Sequence, residues 1–428
     1  MASLDPRVAM VAGETSGDLL SGLLLGGLKA RWPGLSSCGI GGPRMAEHGF
    51  EAWWPYQKLA VHGFNMEVLR RFREIWTIRR DLGDRLLADR PDVFVGVDAP
   101  DFNLGLEARL KAEGIKTVHF VSPSIWAWRG GRIHKIHRSV DHMLCLFPFE
   151  PKLYHDHGIA ATFVGHPLAD TIPLEVPRAQ ARASLGLDEQ TPVVAILPGS
   201  RRGEVLHNTP AFLQTVALLS RQRPDLRFVL PVVPGLRDMV EPMVREHAPD
   251  APLTLLDGRS HEALAACDVT LIASGTATLE AALFKRPMVI GYAMHPLSWQ
   301  LMKRMAYQPW VGLPNILCGE FVVPERLQDE ARPERLARDV LDWLDAPEKI
   351  ASLQQRFTAL HHALHRDTAQ LATDAIQLDV EAAVTGEGHL GQGNEEAAVG
   401  SVVIGDQFAI GHQRLNGVEE AFQLHRIV

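Results

Sequence analysis

Two aspartates, Asp98 and Asp101, stand where the apolar run "VFVGV" ends. A carboxylate leaving the carboxyl end of a strand can act as a base on an incoming hydroxyl, the more so when partial burial raises its pKa. The same position suits helix capping, because Pro100 fits a first helical turn and an acid there meets the helix dipole. Both readings stand for each aspartate, with Asp101 the better cap. A second chemistry is written in "ILPGSRRGEV", residues 196–205. Gly199 permits close backbone approach or positive φ, the N–H groups from Ser200 onward can open a helix, and the Arg201 guanidinium offers a bidentate fork. Together they make a corner for phosphate. An ordinary strand-to-helix turn with solvated arginines reads the same way.

A related corner is "LIASGTATLEAALFKRP". Ser274, Gly275 and Thr276 are small enough for a phosphate or ribose to approach a helix start, and Glu280 can accept both hydroxyls of a ribose or serve as a first-turn acid. In "VAGETSGDLL" the spacing Gly13-x-x-x-Gly17 lacks the dinucleotide fingerprint. Glu14, Thr15 and Ser16 at the mouth of that strand suit sugar hydroxyls, while Ser16 or Asp18 could simply cap the helix. "GIGGPRM", residues 39–45, forms a second glycine-rich wall. His134 and His137 follow Trp126 and Trp128 without a third ligand at useful spacing, so a solvated helix face is the better reading and no metal is expected.

The elements that must position these residues are legible as continuous apolar runs, "RVAMVAG", "DVFVGVD", "TVHFVS", "HMLCLF", "PVVAILPG", "LRFVLPVV", "VTLIAS" and "PMVIGY", each leading to a polar corner and a helical segment. Such alternation predicts parallel sheets covered on both faces. The expected class is α/β: two doubly wound Rossmann-like domains facing across a cleft, with ligands at the carboxyl ends of the strands. The expected boundaries are an acceptor-side domain over residues 1–170, a nucleotide-sugar-binding domain over 171–344 and closing helices over 345–384. Residues 385–428, where glycines interrupt every helical pattern, read as a poorly ordered tail.

Composition limits the alternatives. A chain of 428 residues, 46% hydrophobic and 22% charged, carries more than one packed core. Its net charge of −8 argues against nucleic acid as a partner. The four cysteines form no CxxC pair, the first residues do not read as a signal peptide, and no run approaches a membrane span. One segment nevertheless suits a membrane surface: Met66, Val68, Leu69, Phe72, Ile75 and Trp76 are interleaved with five arginines between 70 and 80. An amphipathic helix on a soluble core has the same pattern.

The ordered motifs "AGETSGDLL", "GIGGPRM", "VGVDAPDFN", "VSPSIWAWR", "VGHPL", "LPGSRRGEV", "ASGTATLE" and "LPNILCGE" resemble those of the lipid-A-disaccharide synthases, bacterial glycosyltransferases of GT-B fold. The resemblance implies transfer from UDP-2,3-diacylglucosamine to 2,3-diacylglucosamine 1-phosphate, with inversion, to give the tetraacyl disaccharide 1-phosphate of lipid A biosynthesis and UDP. It implies Asp98 as general base, Arg201 with the Gly199–Ser200 backbone on the diphosphate, and Glu280 with Asn315 around the nucleotide. Ser274 and Thr276 line the same corner, and Glu14 and Ser16 fall on the acceptor side. Thr15 stands where the family carries a smaller residue. No cofactor is implied. The implied partners are the two sugar lipids, the inner face of the cytoplasmic membrane, held peripherally, and optionally a second copy of the chain. Another UDP-sugar GT-B transferase, or a UDP-N-acetylglucosamine epimerase with a soluble substrate, is the alternative.

Overall fold

The computed structural model describes residues 5–59, 66–294, 299 and 308–385, without the side chains of 66–72 and 382–385. Among the described residues the chain divides into two compact units, one running to Asp170 and joined by residues 363–385, the other Thr171–His362.

The first unit carries strands β1 (Arg7–Ala12), β2 (Ser36–Gly41), β3 (Glu51–Pro55), β4 (Val93–Val97), β5 (Lys116–Phe120), β6 (His142–Cys145) and β7 (Ala160–Phe163). Between them run helices α1 (Thr15–Arg31), α2 (Pro43–Ala46), α3 (Met66–Asp89), α4 (Pro100–Ala112), α5 (Ile133–Ser139) and α6 (Glu150–His155), with α7 (Pro167–Thr171) after β7. The strands are parallel in the order β3-β2-β1-β4-β5-β6-β7. Strand alternation feeds two cores. Val8, Met10 and Ala12 pack with Leu24, Leu25 and Leu28 of α1, while Ala9 and Val11 pack with Leu82 and Leu86 of α3 and Leu106 and Leu110 of α4. Each such leucine, fully buried, contributes roughly 1.5–3 kcal/mol. The last helix, Thr368–Thr385, closes the first of these cores with Ala372, Ala375, Ile376 and Val380.

In the second unit α8 (Arg178–Ser184) precedes β8 (Val193–Leu197), α9 (Arg202–Gln222), β9 (Arg227–Val232), α10 (Arg237–His247) and β10 (Leu253–Asp257). Then come α11 (Ser260–Ala266), β11 (Val269–Ile272), α12 (Thr276–Leu283), β12 (Met288–Tyr292) and β13 (Glu325–Leu327). This sheet is also parallel, in the order β10-β9-β8-β11-β12-β13. Every residue of β8 and β11 is buried, which explains their unbroken apolar sequence. In each sheet the order reverses between a first strand and its neighbour, β1 with β4 and β8 with β11. Open α/β sheets bind ligands at such switch points, beyond the carboxyl ends of the strands.

Candidate functional site

Both switch points are occupied by the corners whose residues could do chemistry. In the first unit the chain leaves β1 through Gly13 and β4 through Asp98. Glu14, Thr15 and Ser16 are exposed at the start of α1, and the Thr15 hydroxyl lies 3.2 Å from that of Tyr56. No side chain caps α1. Asp18 is buried and spends its carboxylate elsewhere, accepting from the backbone N–H groups of Gly42, Arg44 and Met45 at 2.8, 3.1 and 3.3 Å. It caps α2 rather than its own helix and so ties "GETSGD" to "GIGGPRM".

Asp98 is half-buried in a left-handed conformation, φ 51°, its N–H donating to the Phe120 carbonyl at 2.9 Å. Its carboxylate makes no hydrogen bond or ion pair among the described residues, and the N-cap of α4 is Ala99, which has no side-chain cap. Capping is therefore not what Asp98 does. Asp101 does not cap either: it sits in the first turn of α4 and pairs with Arg132 at 2.6 Å. The expectation that it is the better cap is corrected accordingly.

The next strand ends hold a group that sequence reasoning missed. After β5, Val121 has φ 81°, a strained value for a β-branched residue. Beyond it Glu150 lies buried, accepting from the Leu146 and Phe147 N–H groups at 3.1 and 3.0 Å and from the Trp126 indole at 3.0 Å. Burial pushes its carboxyl up to about 7 despite those donors. Trp126 meets Phe147 and Phe149 edge-on, and Phe147 lies against His166, whose imidazole burial holds down to about 4. Only the clustering of aromatics in "SIWAW" and "LFPFE" hinted at this.

In the second unit Gly199 has φ 130°, and a Cβ there would stand 2.5 Å from the Cβ of Glu204. Glu204 folds back over the corner and accepts from the N–H groups of Ser200 and Arg201 at 3.0 and 3.2 Å. The two amides expected for phosphate are thus engaged by an internal carboxylate, which mimics the charge such a corner attracts. The Arg201 side chain is 77% exposed and 3.9 Å from Glu204. At the adjoining corner Ser274 donates to the Val311 carbonyl at 3.1 Å, Gly275 has φ 142°, and Thr276 is exposed as the first residue of α12. Glu280, one turn on, lies 3.5 Å from the His261 imidazole, and this contact raises the imidazole's pKa.

Asn315 is fully buried and all its amide valencies are used within its own loop. It donates to the Val323 carbonyl and to Glu325, and accepts from the Val322 and Val323 N–H groups. Glu325 in turn accepts from Val311 and Gly312. Asn315 therefore shapes the loop beside α12 and has no donor or acceptor left over for a ligand in this structure.

Of the residues expected at a membrane, Met66, Val68, Leu69 and Phe72 lie in α3 with side chains outside the described residues. Ile75 is half-buried, resting partly against the core, while Trp76 is 55% exposed with Arg80 over its ring. No described helix is long and apolar enough to cross a membrane. The tail after 385 lies outside the described residues. A cavity of about 200 Å³ lined by Arg7, Ser37, Cys38, Trp53 and Arg85 opens at the amino ends of β1 and β2, away from the switch-point corners. Burial pushes the Cys38 thiol there up to about 11, which makes it a poor nucleophile.

Comparison with known proteins bears on these corners. A family model described as lipid-A-disaccharide synthetase matches residues 8–380. The lipid-A-disaccharide synthase of Albidiferax ferrireducens is 63% identical over 375 residues, covering 87% of this chain and 96% of that protein. The corresponding protein of Verminephrobacter eiseniae is 60% identical over the same shares. Among solved structures, UDP-GlcNAc 2-epimerase from Neisseria meningitidis bound to UDP-GlcNAc superposes with a TM-score of 0.57 at 12% identity, covering 88% of this chain and 99% of that one. The S. aureus MnaA–UDP complex gives 0.58 at 10% identity, covering 89% and 97%. A glycosyltransferase of kitacinnamycin gives 0.54 at 17% identity, covering 87% and 99%. At such identities these three show the fold alone, that of GT-B transferases and epimerases.

Proposed function

The chain belongs to the lipid-A-disaccharide synthase family and is a glycosyltransferase of lipid A biosynthesis; on that premise we propose that it joins UDP-2,3-diacylglucosamine to 2,3-diacylglucosamine 1-phosphate with inversion. The 6-hydroxyl of the acceptor attacks the anomeric carbon of the donor. A new C–O bond forms as the bond to UDP breaks, the hydroxyl proton passes to the Asp98 carboxylate, and UDP departs with the bonding pair. The products are the β-1,6-linked tetraacyl disaccharide 1-phosphate and UDP.

The observation that carries this reading is the state of Asp98: half-buried, at a switch point, with a carboxylate that no side chain among the described residues engages. A structural aspartate at a helix start is normally bonded to backbone N–H groups. A base must instead be left open to its substrate. Arg201, exposed and charged, serves the leaving diphosphate, with the α9 and α12 N-termini adding favourable dipoles. Glu280 takes the ribose hydroxyls, held by His261, and Glu14 and Ser16 serve the acceptor sugar.

Both substrates carry acyl chains, so the enzyme works at the inner face of the cytoplasmic membrane, held peripherally through the apolar, arginine-flanked start of α3. The test is incubation of the purified chain with both sugar lipids. Equimolar UDP and disaccharide, with the β configuration read by NMR, are expected; an α-linked product would refute single inversion, and absence of UDP would refute transfer.

A further inference from the structure

We infer that Asn103 is a positioning residue for Asp98, holding the elbow that presents the carboxylate. This rests on the reading of Asp98 as the base. Asp98 and Ala99 both have positive φ, 51° and 42°, though neither is glycine. L-residues keep a left-handed pair only where their surroundings over-determine it. The determinant here is a side chain. Asn103, fully buried on α4, donates its amide to the Asp98 carbonyl at 2.8 Å, with the Val97 and Val11 carbonyls at 3.4 and 3.5 Å.

The rest of α4 makes room for that bond. A Cβ on Gly96 would stand 3.0 Å from the Asn103 Cβ and 2.1 Å from Glu107 Oε1, so the gap in β4 accommodates two successive polar residues of one helix face. Gly96 pairs in register with His119 of β5, and His119 Nδ1 lies 2.7 Å from Glu107 Oε1, both side chains fully buried. Asn103, Glu107 and His119 thus form a polar column beneath the elbow. Asn103 Oδ1, Glu107 Oε2 and His119 Nε2 in it find no partner among the described residues. Packing alone would favour apolar residues at these positions, since burying unsatisfied polar groups is costly. What Asn103 supplies from this column is the bond that fixes Asp98.

The test uses the full-length protein and steady-state transfer between the two sugar lipids, with Asn103→Ala, Asn103→Ser, Asp98→Asn and the double variant Asn103→Ala/Ala99→Gly. Asn103→Ala is expected to lower kcat at least tenfold per folded molecule while either KM changes less than twofold. Should it fail to fold, Asn103→Ser is read in its place, alone and with Ala99→Gly. Glycine adopts the left-handed conformation without strain, so adding Ala99→Gly is expected to restore at least threefold in kcat. A residue serving only stability would shift the melting temperature and show no such recovery. Unchanged kcat in the Asn103 variants, or a loss that Ala99→Gly does not recover, overturns the inference while leaving Asp98 as base if Asp98→Asn is inactive. A fully active Asp98→Asn removes the base itself, and the inference with it.

Discussion

A Cβ placed on Gly13 would stand 2.5 Å from the Cβ of Ala99, so the corners after β1 and β4 meet across the first switch point with no room for a methyl group. The glycine is required by its neighbour rather than by its own dihedrals. Gly13→Ala must push the Asp98–Ala99 elbow aside, and overpacking of this kind costs about 1–3 kcal/mol. Chemical denaturation should show that loss, and transfer by the remaining folded protein should fall more than tenfold. A fully active, equally stable variant would mean that the elbow moves freely and matters little.

Arg201→Ala separates catalysis from stability. Its side chain is largely exposed and its guanidinium reaches Glu204 only at 3.9 Å, while the bond from the N-cap amide to Glu204 is a backbone one that alanine keeps, so stability should change by less than about 0.5 kcal/mol. Loss of its charge on the leaving diphosphate is expected to cost on the order of 3 kcal/mol in the transition state, roughly a hundredfold in kcat. Thermal unfolding and turnover measured together decide it, and wild-type turnover removes Arg201 from that role.

The buried titrating groups beyond β6 and β7, Glu150 and His166, predict a pH signature. His166 is held down to about 4 in the folded protein and titrates at 6.5 unfolded, so the unfolded state binds more protons between those values. Its contribution is intact above pH 6.5 and is lost as pH falls toward 4, at on the order of 1 kcal/mol per unit. Glu150 acts oppositely: raised from 4.5 to about 7, it lowers stability as pH rises through that window. The two largely offset between pH 4.5 and 6.5. His166→Asn should therefore make the protein gain stability, relative to wild type, as pH is lowered from 6.5 to 4. Parallel stability profiles for the two proteins would show that His166 protonates freely when folded.

At the membrane, Val68→Ser with Leu69→Ser is expected to release the protein from anionic vesicles in sedimentation, with unchanged binding at elevated salt or none at all as the opposing results. Among the described side chains of α3, Trp76 is exposed with Arg80 over its ring.

Much of this architecture is visible in the primary structure because parallel strands buried on both faces must be continuously apolar, as Val193–Leu197 and Val269–Ile272 are. Their polar ends mark the corners by contrast. What stayed hidden were long-range pairings with no local pattern. Asp18 reads as a cap for α1 but lies inside its first turn, Glu14 being the N-cap, and serves α2, 24 to 27 residues away. Glu204 reads as an ordinary first-turn acid, yet it claims the Ser200 and Arg201 amides. Asn315 stands in a motif whose resemblance implies the nucleotide, yet its amide is spent on Val322, Val323 and Glu325, which a motif cannot reveal. The left-handed Asp98–Ala99 pair carries no glycine, the usual sign of such a turn, since side-chain bonding from Asn103 replaces it.

The most direct test is UDP release by wild type and Asp98→Ala with both sugar lipids present. The wild-type protein should release one UDP per disaccharide formed, and the variant, folded to the same melting curve, should turn over ~10²–10⁴-fold more slowly. Wild-type turnover by Asp98→Ala, or UDP release without disaccharide, would contradict the account.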